Sequence, residues 1–231
     1  MPKPKQTNPL AEQVYSKVKQ AIFDFELLPG DRFTENELAE QHGVSRTPVR
    51  DALYRLQREG YLEVGFRSGW SVSPFDFPRF DELYDLRIMI EIASVERLCQ
   101  MDPPPDLDVL KRQWLVAKDQ RVTEARLIAA LDEAFHSTLV RAAGNREIAR
   151  VHEDLTEKIR IIRRLDFLKS NRIEATYDEH AKILRLILKR QSTEATILLR
   201  SHVTQSKNEV RKITLHMLHQ AREAIAGAGV G

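Results

Sequence analysis

The chain has 231 residues, 42% hydrophobic and 30% charged, with a formal net charge of +2. That length allows two domains of ordinary size, and the balance suits a chain that folds around a buried core rather than a disordered one. No apolar run approaches the ~20 residues of a membrane span, the start MPKPKQTNPL lacks a signal-peptide core, and the single cysteine, Cys99, leaves no intrachain disulfide, so a reducing cytoplasm is the expected compartment.

Residues 1–8 are polar and proline-bearing and read as disordered. Leu10 to Phe25 reads as an amphipathic helix, with Val14, Val18, Ile22 and Phe25 at helical spacing. LLPGDRF turns at Pro29-Gly30. Thr34 and Glu37 then stand three apart as a capping box, Leu38 and Ala39 give the apolar side of a short helix, and Gly43 ends it. Val44 plugs the turn. Ser45 caps a second helix, Pro48 falls in its first turn, and Val49, Ala52, Leu53 and Leu56 form its buried stripe. Arg46, Thr47 and Arg50 project from its exposed N-terminal end. Tyr61 to Val64 alternates as a strand, Trp70-Ser71-Val72 answers it, and Gly65 to Gly69 makes the loop with Arg67 at its tip.

Two helices with a tight turn and a following hairpin have the pattern of a winged helix-turn-helix, whose second helix enters the major groove N-terminus first. Lys/Arg and Asp/Glu balance in the first 75 residues, so bulk charge does not point to nucleic acid. Placement does: Arg46, Arg50, Arg55 and Arg58 face only Asp51 and Glu59 between Ser45 and Gly60. Arginine there can bond guanine in pairs or clamp phosphate. On spacing alone, a helical hairpin with ordinary surface arginines fits as well.

The string GVSRTPVRDAL, preceded by PGDRFTENELAE, closely resembles the winged helix-turn-helix of GntR-family bacterial transcription regulators. The resemblance implies operator contacts by Ser45, Arg46, Thr47 and Arg50, with Arg67 reaching phosphate or minor groove and Arg32 adding to the backbone footprint. Some relatives carry arginine beside the glutamate ahead of the first helix. Here the stretch is Thr34-Glu35-Asn36-Glu37, which removes the arginine contact, though Asn36 can still bond to DNA.

Residues 73–80, SPFDFPRF, read as a linker, with Asp76 capping the next helix and Pro78 in its first turn. All ten prolines lie at or before Pro105, and residues 106–226 hold one glycine, Gly144. That is the composition of stacked helices. The spacing predicts helices near 79–101, 106–119, 123–143, 146–168, 172–190 and 193–225. MDPPPD at 101–106 is a stiff break, Gly144-Asn145 a stop, and Asn171 with Glu174 a start. The expected fold is mainly α: a winged helix-turn-helix over 1–75 with a small β-hairpin wing, then an all-α antiparallel helical bundle over 76–231.

Asp132 and His136 stand four apart, on one helix face. His180 and His202 lie on successive helices joined by a short loop around Arg190 to Thr193, which can bring them level. One carboxylate and three imidazoles make a plausible divalent-metal set with positions left open. Taken singly, each histidine reads as a hydrogen-bonded or surface residue. Asp132-x-x-x-His136, then Gly144-Asn145, His180 and His202, looks like the FCD effector-binding domain of the FadR subgroup of the GntR family. There an Asp and three His commonly hold zinc, nickel or a similar ion, which makes zinc the foremost expectation here. Arg87, in LYDLRIMIE, matches an arginine often found on the first helix of such domains, where its fork suits a carboxylate effector. Its alternative is an ion pair with Glu91. Asn145 reads either as a group beside the effector pocket or as a helix cap.

His42, His152, His216 and His219 read as surface or packing residues, Arg163-Arg164 as a solvated pair, and Glu133 and Glu179 as turned away from the ligand face. The resemblance implies a ligand-responsive regulator, a repressor, binding palindromic double-stranded operator DNA as a homodimer and answering to a small organic acid. One alternative makes the ion itself the signal. Another, a metal-dependent hydrolase, lacks any HExxH, GxSxG, Walker or dinucleotide motif. The chain is therefore not expected to be an enzyme.

Overall fold

In the computed structural model, which describes residues 8–65, 69–166, 170–210 and 212, the chain opens with helix α1 (Pro9–Phe23). Asn8 caps it, its Oδ1 accepting from the Leu10 N–H at 3.1 Å. Val14, Val18, Ile22 and Phe23 are buried from it. The helix stops earlier than its apolar spacing suggests: Phe25 lies beyond its end in a left-handed conformation, φ 61°, yet stays buried.

The capping box forms as expected. In helix α2 (Glu35–His42) the Thr34 Oγ1 accepts from the Glu37 N–H at 3.2 Å, and Glu37 accepts from the Thr34 N–H at 2.7 Å. Gly43, φ 64°, closes the helix in the left-handed region that glycine tolerates. Ser45 occupies the N-cap position of helix α3 (Arg46–Arg58), but its side chain makes no capping bond. Val49, Leu53 and Leu56 are sealed completely, while Val44 is only half-buried.

The sheet has a strand the sequence did not announce. Strand β1 (Arg32–Thr34) joins the expected hairpin of β2 (Leu62–Val64) and β3 (Gly69–Val72) in the antiparallel order β1-β3-β2. Trp70 is the hinge of the pairing, opposite Phe33 on one side and Val64 on the other. A three-residue strand has too short an alternation to stand out in the sequence, and it exists because β3 supplies a partner across 35 residues of chain.

The chain divides into two units between Phe75 and Asp76. The second begins with helix α4 (Phe77–Gln100), started by Asp76, whose Oδ1 accepts from the Arg79 N–H. Helices α5 (Asp108–Trp114), α6 (Ala125–Ala142), α7 (Arg146–Asp166), α8 (Ser170–Leu188) and α9 (Ser192–Val210) follow. The single helix expected over 106–119 is instead α5 plus a 3-10 turn at Lys118–Gln120. Expected residues beyond Val210 of the last helix lie outside the described residues, apart from Lys212 in a turn. Helix α4 packs against α9, α6 and α7, and α8 packs against α9 and α5. No described helix is long and apolar enough to cross a membrane.

Candidate functional site

The second unit brings together four side chains from three helices. Asp132 and His136 come from one face of α6, His180 from α8 and His202 from α9, and all four are buried. One ligand-type atom of each lies within 4.8 Å of the others. The three imidazoles present the same nitrogen: His202 Nε2 is 3.2 Å from both His180 Nε2 and His136 Nε2. Asp132 Oδ1 lies 3.3 Å from His180 Nε2, 3.7 Å from His136 Nε2 and 4.0 Å from His202 Nε2.

Each ring is held from behind. His136 Nδ1 is 2.7 Å from Glu91 Oε2, and His202 Nδ1 is 2.5 Å from Glu179 Oε2. The His180 ring stacks on Phe135, centroids 3.8 Å apart, and meets Trp114 edge-on. A carboxylate at Nδ1 fixes the proton there in His136 and His202, so their Nε2 lone pairs face inward, while His180 Nδ1 is buried with no hydrogen-bond partner. Several lone pairs and a carboxylate oxygen facing one another repel unless a cation sits among them, so this donor set fits a divalent ion. Burial pushes His180 well below its ordinary pKa, a shift the Asp132 bond opposes only in part. Burial lowers His202 as well, against Glu179. For Asp132 burial favours protonation, but Arg163, His136 and His180 outweigh it and hold the carboxyl well below the usual range.

One sequence reading is overturned here and two become specific. Arg163 is not solvated: it is 5% exposed, and its Nη2 donates to Asp132 Oδ2. Glu179 is turned from the ligand face, as expected, but it is not idle: it braces the outer nitrogen of His202, and Arg172 lies 3.4 Å from it. His152 is a buried member of the same network, its Nε2 3.0 Å from Glu91 Oε1. Glu91 is the hub, since its Oε1 also accepts from Arg87 Nε at 2.6 Å. Arg87, 1% exposed, thus makes the Glu91 pair, while its Nη2 has no hydrogen-bond partner. Asn145 spends its Oδ1 on the N–H groups of Glu147 and Ile148, both at 3.1 Å, and so caps α7. Glu133 pairs with Arg160, outside the cluster.

In the first unit, the arginines expected to reach outward do so from a common anchor. Glu35, in the first turn of α2, is buried and accepts from Arg46 Nη2 at 2.9 Å and from Arg50 Nε at 3.1 Å and Nη2 at 2.9 Å. The two arginine side chains remain 55% and 51% exposed. The Arg50 bonds first, then those of Arg46, outweigh burial and lower the Glu35 carboxyl pKa. Ser45, Thr47 and Arg32 are exposed, and Arg67 lies outside the described residues. Arg55 turns the other way, stacking over Tyr15 at 3.6 Å and pairing with Glu12 at 2.7 Å. The basic surface of α3 is therefore narrower than a count of its arginines implies. The role of Glu35 carried no local signal, because its partners lie 11 and 15 residues on.

Residues 10–72 match the family described as bacterial regulatory proteins, gntR family, and residues 82–205 match the FCD domain. The chain is 31% identical to the Nta operon transcriptional regulator of Aminobacter aminovorans over 185 residues, covering 80% of this chain and 87% of that protein. It is 29% identical to the HTH-type transcriptional regulator YdhC of Bacillus subtilis over 91% of this chain and 93% of the relative. A crystal structure of a GntR transcriptional regulator from Rhodococcus sp. RHA1 has the same fold, with TM-score 0.69 and 18% identity over 90% of this chain and all of that one.

Proposed function

Because the chain belongs to the GntR family of bacterial transcription regulators and carries an FCD domain, we propose that it is a cytoplasmic repressor that binds a palindromic operator as a homodimer and is controlled by a small carboxylate bound beside a divalent ion. The observation that carries this reading is the inward convergence of three Nε2 atoms and one carboxylate oxygen, with the His136 and His202 rings braced by carboxylates from outside. Asp132, His136, His180 and His202 hold the ion, and a nitrogen-rich set of this kind favours zinc, with nickel as the alternative. When bound, the ion supplies a fixed positive charge on which a carboxylate oxygen can rest. Arg87 offers the effector a second, directional contact. Asn145, committed to its cap, takes at most an outlying part.

Residues 1–75 form the reading domain. Arg46 and Arg50, aimed by Glu35, contact bases or phosphates in the major groove with Ser45 and Thr47, while Arg32 and Arg67 add backbone contacts. Residues 76–231 sense the effector and dimerise. Leu86 and Met89, 39% and 63% exposed on α4, offer an apolar stripe to a second copy. Relatives and family are regulators, not enzymes. The site agrees with that, since Glu91 and Glu179 are both engaged with the histidines rather than free to act as a base.

Operator titration with Arg46→Ala and Arg50→Ala tests the reading half: each costs about 1–3 kcal/mol of binding free energy. Unchanged affinity in both overturns it. Repeating the titration with a chelator tests the sensing half. Loss of operator binding on chelation alone, with no response to acids, makes the ion the signal.

A further inference from the structure

The charges buried in the second unit come in pairs. Arg87 meets Glu91, Arg163 meets Asp132, and Arg172 meets the partly buried Glu179. Imidazoles that serve as metal ligands are neutral. Among the described residues, therefore, the protein's own charges at this site sum to zero, and a divalent ion would add two positive charges to an interior of low dielectric. Buried charge without a partner is costly, and a ligand carrying one negative charge leaves half of it uncompensated.

Two of the arginines also keep a donor in reserve. Arg87 Nη2 and Arg163 Nη1 are buried and have no hydrogen-bond partner, although each guanidinium has its other edge on a carboxylate. Both are tied to His136: Arg87 bonds Glu91, which lies 2.7 Å from His136 Nδ1, and Arg163 bonds Asp132, whose other oxygen lies 3.7 Å from His136 Nε2. Each is one carboxylate removed from the histidine cluster, through Glu91 for Arg87 and directly at Asp132 for Arg163.

Resting on the reading that the cluster holds a divalent ion and a carboxylate effector, we propose that the effector is a dicarboxylate, with one acid group at the ion and the other on the reserve donors of Arg87 and Arg163. Two negative charges close the balance that the ion opens. A second acid group also satisfies N–H groups that an aliphatic tail would leave unpaired, and rejection of ligands lacking a matching polar group is how such sites discriminate.

The experiment is isothermal titration of the zinc-loaded full chain with two series: the dicarboxylates from malonate to adipate, and the monocarboxylates of the same chain lengths. The expected result is that the best dicarboxylate binds at least about tenfold tighter than every monocarboxylate. In Arg87→Gln and Arg163→Gln that preference shrinks towards unity. Equal binding of the two series overturns the dicarboxylate and leaves the carboxylate reading standing. No binding by either series to zinc-loaded protein overturns both. A preference that survives in both variants overturns the arginine assignment. The wild-type comparison decides the ligand class even where a variant fails to fold.

Discussion

Each unit rests on arginine paired with carboxylate, and the two units arrange that pair in opposite ways. In the first, the acid is inside and the bases are outside: Glu35 is buried while Arg46 and Arg50 keep half their surface in water. In the second, both partners are inside, with Arg163 against Asp132 and Arg87 against Glu91. An exposed guanidinium loses little hydration when one edge is tethered, so the tether aims it and leaves donors for another molecule. A buried guanidinium has given up its water and depends on its partner. The same chemistry thus serves aiming in one place and charge balance in the other.

The sharpest test of that contrast removes the inner acid. Asp132→Ala strands Arg163 in the bundle, and breaking a buried pair from one side costs about 3–5 kcal/mol. Thermal denaturation of the metal-free chain should register a drop of that size, together with loss of any zinc-induced rise in melting temperature. Milder damage within a few tenths of a kcal/mol would mean that the pair is hydrated and the comparison false. A step down in size, Glu179→Gln keeps the shape but weakens the grip on His202 Nδ1. Such outer partners typically set metal affinity by about 10–100-fold. Competition with a chromophoric chelator measures this, and unchanged zinc affinity would reduce Glu179 to a packing role.

Legibility in the sequence depends on the range of each interaction. The capping box of Thr34 and Glu37 and the stop at Gly43 are local, so they are legible. The spacing of the four residues of the histidine cluster only permitted them to meet, two one helical turn apart and two flanking a short interhelical loop, and it was the resemblance to the FCD domain that singled them out. What was not legible is the outer ring. Glu179 adjoins His180, so helical geometry does turn it from that residue's face, but it turns it towards His202 on the neighbouring helix. Arg163 sits 31 residues from Asp132 beside a second arginine, in a context that reads as surface. Strand β1 fails for the same reason, being too short to show a period and defined only by its partner. Periodicity finds faces, and it does not say which face meets which.

The smallest expected effect concerns the outer clamp. In the folded chain Arg50 and Arg46 hold the Glu35 carboxyl below its ordinary value of 4.5, whereas the unfolded chain keeps that value. Below about pH 4.5 the unfolded state therefore takes up a proton that the folded state refuses, and stability falls as pH drops. Above it the contribution is complete and flat. Glu35→Gln removes this increment of acid sensitivity from the reading unit alone. Trp70 lies in that unit and Trp114 in the other, and they are the two tryptophans of the chain. Fluorescence of a Trp114→Phe background follows the first unit during denaturation at about pH 6 and about pH 3.5. The Gln variant should lose less stability between them than its parent. Equal losses would show that solvent screens the clamp, leaving the exposed arginines to aim themselves.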